Sequence, residues 1–168
     1  MTTLDYVLDS ALVLMVFLQI REQPITWRTF LGPLVVIGIA CGHYLKSVPT
    51  SGNDVVLTLT LAALGAAIGF ASGVTLKMRR DSARQVLIQA RWASVVFWVL
   101  GMGGRFAFLI WISHGGVAWL TQFSIHHHIT SSAAWTVAVL AEAVLEVLAR
   151  MLVMGARAVH QRSVAEWT

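Results

Sequence analysis

Val55-Val-Leu-Thr-Leu-Thr-Leu-Ala-Ala-Leu-Gly65-Ala-Ala-Ile-Gly69-Phe-Ala-Ser-Gly73-Val-Thr-Leu76 is the stretch that decides the fold. It carries no charge, and as a helix rising about 1.5 Å per residue it crosses a hydrocarbon core about 30 Å thick. Gly65, Gly69 and Gly73 recur every fourth residue, so they share one helical face, which Ala62 and Ala66 extend. Missing side chains on one face let a second backbone come close. This face is expected to pack against another helix of the same chain.

Working outward, four more apolar segments are found at Leu4–Ile20, Phe30–Leu45, Trp92–Ile112 and Ala133–Val153. The expectation is an all-α membrane protein: a five-helix transmembrane bundle forming one domain over residues 1–168. Hydrophobic residues make up 57% of the chain and charged residues 12%, well under the roughly 25% charged of a soluble domain. The lipid bilayer is then the solvent. The net charge of +4 is carried by residues flanking the apolar spans, where they meet lipid headgroups, and is not a nucleic-acid footprint. Cys41 is the single cysteine, which excludes an internal disulfide and a Cys-x-x-Cys redox pair. The start of the chain lacks a basic n-region and carries Asp5 and Asp9, unlike a signal peptide.

The basic residues fall on alternate connections. Arg21 and Arg28 lie in the first, Lys77, Arg79, Arg80, Arg84 and Arg91 in the third, and Arg150, Arg157 and Arg162 toward the tail. Lys46 alone stands on the opposite side, and Arg105 lies within the fourth span. Such asymmetry places the N-terminus outside and the C-terminus in the cytoplasm. Trp27 and Trp92 then fall at inner ends of spans, and Trp111 and Trp135 near outer ends, where amphipathic rings favour the interface. Pro49, Ser51, Gly52 and Asn53 make a turn, and Asp54 is a plausible N-cap for the third span. The loop over residues 113–132 has the apolar content of a segment lying on the outer interface. The basic loop over residues 77–91 fits either a short amphipathic helix or a hairpin.

Charges inside spans are the candidate site. A lone arginine at the bilayer centre costs about 2.5–3.5 kcal/mol on insertion scales, so Arg105 needs a partner. Counted from the outer surface, Glu142 lies at nearly the depth of Arg105, with Glu146 one turn deeper on the same face. Asp9, in the first span, adds a further carboxylate. Asp9, Arg105, Glu142 and Glu146 form the expected buried polar cluster. Two readings stand: an ion pair that fixes helix register, or a site that takes up a proton, an ion or an anionic group. Gly101, Gly103 and Gly104 precede Arg105, which fits either close packing or local unwinding that frees backbone groups.

His43, His114, His126, His127 and His128 gather toward the outer surface, and imidazoles can ligate a metal or haem iron. Their spacing matches no metal motif such as H-E-x-x-H; a polar interfacial loop is the other reading. No Walker loop, G-x-S-x-G or Cys/His nucleophile arrangement occurs, so a non-enzymatic role is favoured.

The apolar first span, the basic turn Arg21–Arg28 leading to Pro33, the third span ending in Leu76-Lys-Met-Arg-Arg80, and Trp98-Val-Leu-Gly-Met-Gly-Gly-Arg105 together resemble the CcdC-like group of small bacterial membrane proteins, associated with cytochrome c maturation. The resemblance covers Leu4 to Ile112 and implies a bacterial inner-membrane protein with an accessory role; it carries over no catalytic residues. Three functions follow as expectations: an accessory or assembly protein attached to a larger membrane complex, a small ion- or proton-coupled transporter, and a haem- or metal-handling protein. The transporter lacks a visible internal repeat and a proline-broken span.

Overall fold

The computed structural model describes residues 23–24, 27–44, 49–80, 86–89 and 92–164. The first apolar segment, with Asp5 and Asp9, lies outside them. In chain order come strand β1 (Gln23–Pro24), helix α1 (Trp27–Tyr44), helix α2 (Asp54–Thr75), strands β2 (Lys77–Arg80) and β3 (Val86–Gln89), helix α3 (Trp92–Trp111), a π-helical turn (Ile112–Gly116), helix α4 (Val117–His126) and helix α5 (Ser132–Val164). The chain is mostly helical, and among the described residues two helices are long and apolar enough to cross a membrane: Asp54–Thr75, and the run Trp92–His126. Within that run the helix kinks, because His114 and Gly115 leave helical geometry and Gly115 has φ 108, a conformation glycine adopts without a Cβ penalty.

Helices α2 and α5 form the closest pair, and they run parallel. A Cβ built on Gly65 would strike the Glu142 carbonyl oxygen, and one on Gly69 the Glu146 carbonyl oxygen, while one on Gly73 would meet Val153 and the Arg150 carbonyl. Each step of four on α2 is matched by a step of four on α5. The two backbones therefore touch along the glycine face. Helix α3 runs antiparallel to both, with Ser94 beside Ser72 near one end and Arg105 level with Glu142 nearer the other. Ser72 Oγ and Ser94 Oγ lie 3.3 Å apart, and Ser94 Oγ also donates to the Ser72 carbonyl at 3.2 Å.

Burial runs opposite to that of a soluble protein. Among the described residues most buried side chains are small or polar, Ala134, Ala138, Ala158, Asp54, Ser72, Ser94, Glu142 and Glu146, with Leu76, Val137 and Met154 the larger apolar ones. Large apolar side chains such as Ile39, Leu59, Phe70, Leu100, Leu109 and Leu152 face outward. Water penalises that arrangement, whereas lipid gives large apolar groups no reason to hide and leaves small residues to bring helices together.

A small sheet accompanies the helices. Its order is β1-β3-β2, all antiparallel. Met78 pairs with Ile88, Arg79 with Leu87, and Gln23 with Ile88. Of the two readings for the basic loop, the hairpin is the one adopted. Helix α2 ends at Leu76, which is extended (φ −61, ψ 134) and buried, so the chain passes straight from helix into strand β2. The sheet joins the first and third connections at one end of α2. At the other end, Asn53 N donates to the His128 carbonyl at 3.1 Å and Asn53 Nδ2 to the His127 carbonyl at 2.9 Å.

Candidate polar site between α3 and α5

Helix α5 supplies carboxylates from Glu142 and Glu146, four apart and hence on one face. Helix α3 supplies Arg105. Its Nε donates to Glu142 Oε2 and its Nη2 to Glu146 Oε2. Its Nη1 lies 3.5 Å from Met102 Sδ. One planar guanidinium thus engages two carboxylates through different nitrogens, which a lysine's point charge could not do with the same geometry. The side chains of the two glutamates are 8% exposed and that of Arg105 is 18% exposed. Charges this enclosed persist when paired.

The glycines explain how the pair closes. A Cβ at Gly101 would overlap the Glu146 carboxylate, whereas one at Gly104 would meet nothing within 4 Å. Gly101 therefore makes room for the acid. Helix α3 stays regular from Gly101 to Arg105, so the local unwinding read as an alternative is not adopted. The glycines at 65 and 69 seat the backbone of the same two glutamates from the α2 side. Asp9, expected as a fourth member, lies outside the described residues.

Asp54 has a different task from the N-cap expected of it. Asn53 occupies the cap position and makes no side-chain cap bond. Asp54 is the first helical residue and is fully buried. Its Oδ1 accepts from Thr130 N at 2.8 Å and its Oδ2 from the Thr130 hydroxyl. The carboxylate ties the start of α2 to the residues preceding α5. Sequence reading missed this because Thr130 is distant along the chain and carries no motif.

The histidines are dispersed among other tasks. His114 Nδ1 lies 2.9 Å from the Ile110 carbonyl and 3.1 Å from Ser113 Oγ. The His126 and His127 rings meet edge-on at 5.0 Å, and His127 lies 4.2 Å from the Phe123 ring. His128 has φ 54 and turns the chain out of helix. His43 is in α1, and its side chain is not among the described groups. Among the described residues no group of three His, Cys, Asp or Glu is placed to hold a metal ion.

Two further contacts escaped the sequence reading. Arg157 Nη1 donates to the Gly73 and Val74 carbonyls, each at 2.8 Å, satisfying terminal acceptors of α2 as basic groups do at helix C-termini. The available signal was an arginine beyond the apolar part of α5. Trp135 Nε1 donates to Ser124 Oγ at 3.0 Å, and the Trp135 ring lies 6.0 Å from Phe123, which holds α4 against the start of α5. Compared with protein-family models, curated proteins and solved structures, the chain matches none.

Proposed function

We propose that this chain is a five-helix, multi-pass protein of a bacterial inner membrane, N-terminus outside and C-terminus cytoplasmic, acting as a non-enzymatic accessory or assembly protein. The bacterial setting and accessory role are those implied by the CcdC-like resemblance. The inverted burial pattern supports the membrane reading. The placement of alternate connections at opposite ends of α2 supports an up-and-down path, and the side richer in Lys and Arg is then cytoplasmic. The observation that carries the functional reading is the closure of the polar triad: both carboxylates bind one guanidinium, and Gly101, Gly65 and Gly69 seat the glutamates on two sides. A triad closed in this way acts as a tie between helices, leaving the outward apolar surfaces to engage other membrane proteins.

The test is affinity isolation of the full chain from its own membranes in mild detergent, alongside Arg105→Met/Glu142→Gln. An accessory protein brings a defined larger complex with it, and the paired variant, once stable, retains that complex. Isolation of the chain alone under several mild detergents would overturn the reading. A second reading, a small proton- or ion-coupled carrier, is favoured by one feature: two carboxylates, Glu142 and Glu146, are enclosed side by side on one helix face. Flux across vesicles containing the purified protein, abolished by Glu146→Gln, would favour it.

A further inference from the structure

Helix α1 leaves one whole side uncovered by the rest of the described chain. Its fullest contact is with α5, and Ile37 and Cys41 are half-buried. Leu31, Val35, Gly38 and Gly42 follow one another at steps of four, three and four, so they form a single ridge along the helix. All four are exposed. A Cβ built on Gly38 or Gly42 would meet no atom within 4 Å, whereas one on Gly65, Gly69, Gly73 or Gly101 strikes a neighbouring helix. Small residues on a membrane helix let a second backbone approach, and at Gly38 and Gly42 that backbone is not among the described residues.

The chain supplies an occupant of matching length and spacing. Leu4–Ile20 is apolar and about as long as α1. Ile20 stands three residues before Gln23, and Trp27 three after Pro24. Gln23–Pro24 is held in the sheet against Leu87 and Ile88. A hairpin folded about Gln23–Pro24 therefore sets Ile20 level with Trp27. Equal helical rise then sets Val16 level with Leu31, Leu12 with Val35, Asp9 with Gly38 and Asp5 with Gly42. Asp5, Asp9, Leu12 and Val16 have the same spacing in mirror order, so they too share one face. Branched residues meet branched residues, and acids meet glycines. The described helices contain that second match already, with Gly65 and Gly69 against the backbone of Glu142 and Glu146. A carboxyl within a span is costly unless it faces protein, and a notch left by a glycine takes it out of the lipid. We propose that the α1 ridge is the seat of the chain's own segment Leu4–Ile20, antiparallel to α1, with Asp5 and Asp9 at the notches of Gly42 and Gly38. The short tether keeps this segment at high effective concentration, which favours it over a second copy. The proposal rests on the five-helix reading, in which Leu4–Ile20 crosses the membrane.

The test uses the full chain in its own membranes, in a Cys41→Ser background. Paired cysteines are oxidised with copper–phenanthroline, and the thiols left free are read by a maleimide that shifts the band on a gel. Leu12→Cys/Val35→Cys and Val16→Cys/Leu31→Cys should each close within one chain. Leu12→Cys/Ile37→Cys, which leaves the ridge, should stay reduced. Gly38→Leu should slow closure of Leu12→Cys/Val35→Cys by about fivefold or more, the equivalent of at least about 1 kcal/mol of overpacking. Gly32→Leu, at an open position off the ridge, should not. If Gly38→Leu fails to fold, the cysteine pairs still decide. Thr3→Cys and Ser82→Cys, labelled with an impermeant thiol reagent, report separately whether the segment crosses. Labelling on opposite sides with no closure at either ridge pair would overturn the seat and leave the five-helix reading standing. Labelling on the same side would overturn both. A disulfide between two chains from Val35→Cys alone, with no closure to Leu12→Cys, would assign the ridge to a second copy and overturn the proposal.

Discussion

Arg105 meets two carboxylates while each carboxylate meets one guanidinium in the triad, so removals from the two sides are unequal. Arg105→Met leaves two enclosed acids facing each other. Glu142→Gln leaves Arg105 with Glu146. Breaking a buried pair costs about 3–5 kcal/mol in soluble cores, and less where water entry and snorkelling relieve a charge in lipid. Thermal melts in detergent should therefore show Arg105→Met as the more damaging change and Glu142→Gln as milder. Their combination should fall short of additive, since the two share one interaction. Additive losses would mean that the side chains do not couple. Gly69 offers a check on packing at the same scale. A Cβ there would stand 2.7 Å from the Glu146 carbonyl carbon, a backbone atom that cannot turn aside. Gly69→Ala should lower stability by about 1–3 kcal/mol through overpacking. Gly104→Ala, which meets nothing within 4 Å, should hold or gain up to about 1 kcal/mol from helix propensity. Equal effects of the two alanines on the melting temperature would refute the close approach of α2 and α5.

Elements differ in how much of their structure the sequence discloses, and the difference is physical. The glycine period of α2 and the depth of Arg105 relative to Glu142 depend on helical rise and spacing, which any reader of the sequence can count. The structure brings Arg105, Glu142 and Glu146 together and sets the glycines at 65, 69 and 73 against α5. What spacing does not encode is pairing between distant segments. Met78 and Ile88 form a rung with Gln23 alongside, yet the short basic loop has no decisive alternation. Asp54 looked like a cap because acids favour that position, while its bonds go to Thr130, a partner no local pattern names. The histidines cluster in sequence, but His127 packs against the rings of Phe123 and His126, while His114 bonds within its own turn. The Asp54 clamp joins two elements and is testable as such. Asp54→Ala removes the acceptor of both Thr130 bonds; Thr130 is exposed, so water replaces part of what is lost and the cost should be about 0.5–1.5 kcal/mol. Thr130→Val removes only the hydroxyl and keeps the bond from Thr130 N, so it should be the smaller loss. Hydrogen exchange at the start of α2 should speed up more in Asp54→Ala than in Thr130→Val; the opposite order would mean that the hydroxyl bond dominates.

For the whole molecule, the geometry fixes which connections share an end, and charge then assigns each end to a side. Asn53 bonded to His127 and His128 puts the turn before α2 beside the segment between α4 and α5. The β1-β3-β2 sheet puts the first and third connections together at the far end. A helix from Asp54 to Thr75 separates the two ends by 22 residues, about 33 Å at helical rise, enough to span the hydrocarbon core. Single cysteines at Ser51, Gln122 and Ser82, each in a Cys41→Ser background, distinguish the two inferences in intact cells treated with a membrane-impermeant thiol reagent. Ser51 and Gln122 should always report the same side, because that follows from the contacts alone. Ser82 should report the opposite side. With basic residues retained in the cytoplasm, the reactive pair should be Ser51 and Gln122, and Ser82 should label only after the membrane is opened. Labelling of Ser82 alone would keep the paired ends and reverse the orientation. Labelling that separates Ser51 from Gln122 would contradict the fold itself, since no orientation of the chain can place hydrogen-bonded turns on opposite sides of a bilayer.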